Sequence, residues 1–393
     1  MHHHLLLLLC LVALSVADRR SKGITPEATN YLPNITVTPP SWTFTQESTV
    51  WSSPPTIVND RVYFHTNAGV NSVSLLDGKL LGRNTKISAR GTTIVNSPYA
   101  DKSIIVEQYP SSSSTFQILD PISLEVRETI PKVNPGTVVW DTTGMYFVDQ
   151  RIIYRYAFDG VLMKRRSISD QVDLKFGRID QGIIGVAMSK LFLINSDLET
   201  VYSQSFFGLG PVHSVAVNSK TGHVIFPTYD YQQPLFIFIH GLDVNMKPMF
   251  KFNVTRSNNL AQVVFLTIQD NGSIVFGVGT NARNDVKLEL YRIRYFGGSY
   301  LEPELVKTVV ESGSYQGHVL FPSGKLALSV YDTSIDVWST VVSVVDLNSM
   351  DSKVLAQHPN NKGLEMIGYA ERCLLYTSKG VYNVPNRLHN ICF

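Results

Sequence analysis

The chain has 393 residues, of which 44% are apolar and only 17% charged, and its formal net charge is +2. Globular domains usually carry about 25% charged residues, so this composition excludes a disordered chain, and the charge balance excludes a broadly basic nucleic-acid binder. At about 150 residues per domain the length suggests two or three domains, although large β architectures run longer as one unit.

Leu5 to Val16 form an apolar run. As a helix it would rise about 18 Å, short of a hydrocarbon core of about 30 Å. Ser15 and Ala17 supply small residues at the spacing a signal peptidase reads, and Asp18-Arg19-Arg20 begins polar sequence. Residues 1–17 therefore read as a cleaved signal peptide, with His2, His3 and His4 standing where Lys or Arg is usual. A Thr/Pro-containing lead-in over 18–39 and one domain over 40–393 follow. No later stretch of 18 apolar residues occurs, so no membrane span is expected, and the expected location is secreted and extracellular.

Cys10 falls in the leader, leaving Cys373 and Cys392. An even pair in an oxidising compartment reads as a disulfide, with two separate buried thiols as the alternative. Such a bridge would stabilise by about 3 kcal/mol in the chain-entropy model. Three sequons, at Asn34, Asn253 and Asn271, permit N-glycosylation.

Short β-rich runs then recur along the chain, centred on Tyr63, Ile105, Tyr146, Ile184, Ile225, Val275, Ala327 and Leu375. Their spacings are 42, 41, 38, 41, 50, 52 and 48 residues. Eight units of about 40 to 50 residues fit the blades of a β-propeller, each a four-stranded antiparallel sheet. A second strand precedes each centre and another follows it, for example Gly136–Trp140 before Tyr146 and Val70–Leu75 after Tyr63. Asp77-Gly78 and Asp159-Gly160 are expected to form type I′ hairpins. No segment of ten or more residues shows helical periodicity after the leader. The expected fold is all-β, a single eight-bladed propeller, with seven blades as runner-up. The last unit lacks an outer strand after Gly380–Val384, so Ser41–Thr45 is expected to supply it and close the ring.

The first unit, Pro55 to Gly82, with its Val62-Tyr63-Phe64 strand and its Asp77-Gly78-Lys79 turn, resembles the quinoprotein-like propeller repeat. The resemblance extends over the mature chain as eight weak repeats and implies the same fold. In that family a Trp closes each repeat, and the quinone-dependent dehydrogenases carry a vicinal disulfide over the cofactor. Gly82 stands in place of that Trp, and no Cys-Cys pair occurs. The resemblance therefore implies the fold without pyrroloquinoline quinone, and no cofactor is expected.

Binding residues concentrate on loops. Those after the second strands of units 5, 6 and 7 are long and rich in hot-spot residue types, with Tyr229, Asp230 and Tyr231, then Asn281 and Arg283, then Asp332, Asp336 and Trp338. His65, His213 and His318 could share that face and join acid–base chemistry, but nothing in the spacing makes them converge, and no metal is expected. No calcium loop, P-loop, nucleophile elbow or Rossmann fingerprint occurs. The expected function is a secreted binding or scaffold module acting through one loop face on an extracellular protein, glycan or small molecule. The alternative is a secreted propeller enzyme (a hydrolase, a lyase or a divergent oxidoreductase) with an acid–base site at the channel mouth.

Overall fold

Every regular element among the described residues of the computed structural model is a β-strand. Those residues are 43–46, 56–58, 60–66, 69–87, 92–95, 102–108, 115–131, 138–141, 143–149, 151–168, 173–178, 182–187, 190–206, 208, 215–218, 221–230, 235–256, 259–269, 271–281, 286–320, 324–332, 339–359, 365–369, 372–377 and 386–392.

The strands form consecutive antiparallel meanders. Unit 1 comprises Thr56–Val58, Arg61–Thr66, Gly69–Ser74 and Leu80–Asn84. Unit 2 comprises Thr92–Val95, Ile104–Gln108, Thr115–Leu119 and Val126–Pro131. Unit 3 comprises Val138–Asp141, Gly144–Asp149, Ile152–Tyr156 and Leu162–Ser167. Unit 4 comprises Asp173–Arg178, Gly182–Ala187, Lys190–Ile194 and Thr200–Ser205. Unit 5 comprises Ala216–Val217, Val224–Tyr229, Phe236–Leu242 and Pro248–Thr255.

A seven-stranded sheet follows, and it divides into two units. Its fourth strand, Glu304–Leu320, is 17 residues long. Up to Gly313 it pairs with Val286–Ile293, and from Gly313 onward it pairs with Lys325–Asp332. It is thus the outer strand of unit 6 and the inner strand of unit 7 without a break. Unit 6 adds Gln262–Ile268 and Ile274–Gly279, and unit 7 adds Ser339–Asp346 and Ser352–Pro359.

In unit 8, Glu365–Tyr369, Arg372–Thr377 and Asn386–Cys392 are joined by Thr43–Gln46 as outer strand. Thr43 lies opposite His389 and Gln46 opposite Asn386. The N-terminal strand therefore closes the last blade, as expected. Inner strands of units 7 and 8, and of units 8 and 1, touch, so the ring is complete.

One expectation about this last unit changes. Its third strand is Asn386–Cys392 rather than Gly380–Val384, which lies outside the described residues. Cys373 pairs with Ile391 and Cys392 with Arg372. In this register the cysteines are one residue out of direct opposition. This register gives the expected Cys373–Cys392 bridge no support.

Among the described side chains, central strands are apolar on both faces, and alternation decides which neighbour a residue meets. Ile104 and Val106 pack with Tyr63 and Val70 of unit 1, while Ile105 packs with Met145 and Phe147 of unit 3. Ile274 and Phe276 pack toward unit 5, and Val275 toward unit 7. The low charged fraction follows directly, since central strands have no solvated face.

The connections fall on two faces. The turns joining third to outer strands lie on one, here the turn face. The loops joining second to third strands, and the crossings between blades, lie on the other, the loop face. On the turn face a bulge follows the third strand in units 1 to 5, at Ser72/Val73, Ile118/Leu119, Arg155/Tyr156, Leu193/Ile194 and Gly241/Leu242. A single left-handed residue completes each turn: Gly78, Leu124, Gly160, Leu198 or Met246. Asp77 and Asp159 are not left-handed, so the expected type I′ turns are instead bulged turns with one left-handed position. Leu124, Leu198 and Met246 carry side chains there, at φ 60°, 62° and 64°. The strain is roughly 1–2 kcal/mol each. All three are at most 3% exposed and are pegged into the core shared with the preceding blade. Burial of roughly 1.5–3 kcal/mol offsets the strain.

Unit 6 departs from this pattern. Its turn grows into an extra hairpin, Tyr295–Phe296 with Ser299–Tyr300. Gly297 and Gly298 are both left-handed, and here alone among the described residues a type I′ turn is formed. The hairpin folds over unit 5: the Tyr300 hydroxyl is 3.0 Å from His223 Nδ1, and its ring is 4.8 Å from that of Phe250. The wider spacings of units 5 to 7 come from this insertion and from strands of seven or eight residues, as well as from loops.

Lys164 and Arg166, on the exposed outer strand of unit 3, pair with Asp197 (2.6 Å) and Glu199 (3.0 Å) of unit 4. Asn253 is exposed on the outer strand of unit 5 and Asn271 at a turn of unit 6, while Asn34 lies outside the described residues.

Candidate functional site

The loop face of units 5 to 7 is built from the ends of the second strands. In unit 5 the chain ends its strand at Tyr229, whose amide donates to the Gly208 carbonyl at 2.6 Å. Gly208 has φ 63°, and a Cβ there would lie 1.7 Å from the Tyr229 oxygen, so only glycine fits this crossing. The Tyr229 hydroxyl accepts the Val263 amide proton at 2.9 Å, at the start of the inner strand of unit 6. One residue, through its amide and its hydroxyl, thus joins the crossing from unit 4, the loop of unit 5 and the first strand of unit 6.

Arg256 follows the outer strand of unit 5 and turns back beneath this junction. Its guanidinium lies 5.6 Å from the Tyr229 ring centre. Nη1 donates to the carbonyls of Asn259 (3.2 Å) and Ala261 (2.7 Å), which fixes the crossing into unit 6. The residue is only 9% exposed, and Nε has no hydrogen-bond partner. Burial lowers its pKa, against the opposing influence of the Tyr229 hydroxyl.

In unit 6 the Thr280 carbonyl accepts the Tyr315 amide proton at 2.8 Å, which ties its loop to unit 7. Asn281 follows, with Oδ1 buried and unpartnered. In unit 7 Asp332 lies opposite Gly313, and Tyr331 opposite the buried Ser314. Tyr229, Asp230, Asn281 and Asp332 therefore sit in sequence along one face, over three consecutive blades. Tyr231, Arg283, Asp336, Trp338 and His213 lie outside the described residues.

The histidines do not form a set. His65 is fully buried in unit 1, and desolvation lowers its pKa to about 4. His318 lies well along its inner strand rather than at the rim. Its ring stacks on Phe265 at 4.4 Å, and Nδ1 is 2.7 Å from the Tyr315 hydroxyl. Burial lowers its pKa to about 4 as well, and pushes the Tyr315 hydroxyl up. Both are packing residues, neutral near pH 7. Among the described residues no group of three His, Cys, Asp or Glu side chains is placed to hold a metal ion.

Sequence reasoning missed Arg256, Tyr315 and His240. His240 stacks on Phe226 at 5.2 Å, bonds Thr228 Oγ1 at 2.8 Å, and is lowered to about 4 by burial and then by Lys251. Arg256 could have been noticed as a lone cation straight after an outer strand, but nothing in the sequence marks it as buried.

No protein-family profile matches the chain, and no curated protein is detectably similar in sequence. Solved structures are similar. BamB from Moraxella catarrhalis matches with TM-score 0.53 and 10% identity, over 89% of this chain and 98% of that one. The WD40 domain of SCAP from fission yeast matches with TM-score 0.52 and 10% identity, over 85% and 92%. A eukaryotic initiation factor structure matches with TM-score 0.54 and 10% identity, over 94% and 93%. At such identities the likeness shows the fold alone, which is a β-propeller. No helix among the described residues is long and apolar enough to cross a membrane.

Proposed function

We propose that the chain is a secreted binding module that holds an extracellular protein, glycan or small molecule on the loop face of units 5 to 7. The observation that carries this reading is the Tyr229 junction. Loops that bind must be presented by a rigid base, and here one tyrosine fixes two blade crossings at once. Tyr229, Asp230, Asn281 and Asp332 follow along this base, and the loops they open carry Tyr231, Arg283 and Trp338. The described histidines with lowered pKa are committed to core packing, which favours retention of a ligand over acid–base turnover. The first unit's acidic-Gly-Lys turn supports a quinoprotein-like repeat, and the missing Cys-Cys pair argues against the cofactor.

Secretion is supported by the Leu5–Val16 run and by two exposed sequon asparagines, Asn253 and Asn271. Expression in a secretory host tests this: the mature chain starts near Asp18 and shifts in mass on glycosidase treatment. The binding reading is tested with the triple variant Tyr231→Ala, Arg283→Ala, Trp338→Ala. Its retention of material from extracellular medium falls by about tenfold or more, a loss expected of hot-spot residues, with unchanged thermal stability. Unchanged retention overturns the reading.

A further inference from the structure

Arg256 is an odd structural residue. Structural arginines in a packed junction normally meet a carboxylate, because burying a guanidinium without a counter-charge is costly. Among the described residues Arg256 has two carbonyl partners and a tyrosine ring, but no acid. The neighbouring stretches outside the described residues (207, 209–214, 231–234 and 257–258) contain no Asp or Glu in sequence.

The geometry of its bonds narrows what is missing. Nη1 is committed to the Asn259 and Ala261 carbonyls. Nε is buried and unpartnered. The edge running from Nε to Nη2 presents two parallel donors, the fork that a planar carboxylate meets bidentately. The crossing that holds the Nη1 end reaches the surface, with Asn259 and Leu260 exposed, Leu260 at 58%.

We propose that the Nε–Nη2 edge of Arg256 is a receptor for a carboxylate group of the ligand seated on the loop face. It rests on the binding function proposed above and specifies its chemistry: the ligand is an acid, such as a peptide carboxylate or a uronic-acid sugar. Tyr229 closes one side of the guanidinium and the crossing carbonyls hold its Nη1 end, so the fork is fixed before the ligand arrives. Little side-chain entropy is then lost on binding.

The Nε–H resonances of the arginines report this directly. The full mature chain is titrated with sodium acetate against sodium chloride at constant ionic strength. One Nε–H resonance, absent from the Arg256→Lys variant, shifts saturably, and acetate raises the melting temperature of the wild type above its value in chloride. Arg256→Lys keeps the charge but loses the fork, and its response to acetate falls by about tenfold. Should that variant fail to fold, the same resonance is assigned in the wild type by its proximity to the Tyr229 ring, and the titration stands. Absence of a saturable shift overturns the proposal, and so does a sulfate response at lower concentration than acetate. The titration needs no partner. A negative result with loop-dependent retention intact therefore defeats only this proposal, and lost loop dependence with a positive titration defeats only the broader one.

Discussion

On the turn face, units 1 to 5 repeat one device: a bulge, a single left-handed residue, and in units 2, 4 and 5 an apolar side chain pegged into the preceding blade. On the loop face the contacts that fix the described loop bases of units 5 and 6 differ from blade to blade. Unit 5 uses a tyrosine hydroxyl and a buried arginine, and unit 6 a backbone carbonyl. The difference separates two tasks. The turn face specifies how blades stack, so its residues are coupled to stability. The loop face instead holds its crossings by contacts particular to each blade, which suits recognition.

This contrast can be broken from either side. The largest effect is expected from removing residues 1–47, which strips the outer strand from unit 8. Thermal stability drops, as read by calorimetry, because the Asn386–Cys392 edge of unit 8 becomes unpaired. Next, Leu124→Ala lowers stability by about 2–5 kcal/mol in denaturant titration, since the peg is fully buried. Leu124→Gly relieves the φ of 60° and costs less than that substitution would without the relief, but it remains destabilising.

A pH titration sharpens the comparison further. His65, His240 and His318 have folded pKa values lowered to about 4, against about 6.5 when unfolded. Between these values the unfolded chain binds more protons, so stability is full above about 6.5 and falls as pH drops toward 4. The slope is at most about 1.4 kcal/mol per pH unit for each histidine. Replacing all three by glutamine flattens the curve measured by denaturant titration. The smallest effect belongs to the loop face: Asn281→Ala changes stability by less than about 0.5 kcal/mol, because Oδ1 has no bond to lose, while ligand retention falls.

Much of the architecture was legible in the sequence. The recurring apolar triplets mark the second strands because those strands are buried on both faces, and no polar alternation dilutes them. Thr43–Gln46 was legible by subtraction, as the strand the last unit lacked. The extra hairpin of unit 6 was not, because Gly297-Gly298 sits between short segments without a strand-length pattern. The cysteine pair gave only a loop length, because spacing carries no register. The loop-face residues were legible by composition, whereas Arg256 was hidden. Its role depends on burial imposed by a blade crossing, and burial of a charged side chain leaves no trace in its own neighbourhood of sequence.

Closure by Thr43–Gln46 also has a kinetic side. Its partner strand begins at Asn386, about 340 residues later. At roughly 5–20 residues per second of synthesis, the first strand waits on the order of tens of seconds for its place. Throughout that interval the exposed flank of unit 1 and the unused strand are open to other chains. A second molecule's residues 43–46 match the edge of unit 8 as well as the chain's own. Concentrated refolding therefore diverts part of the protein into strand-swapped dimers, and dilution restores the monomer.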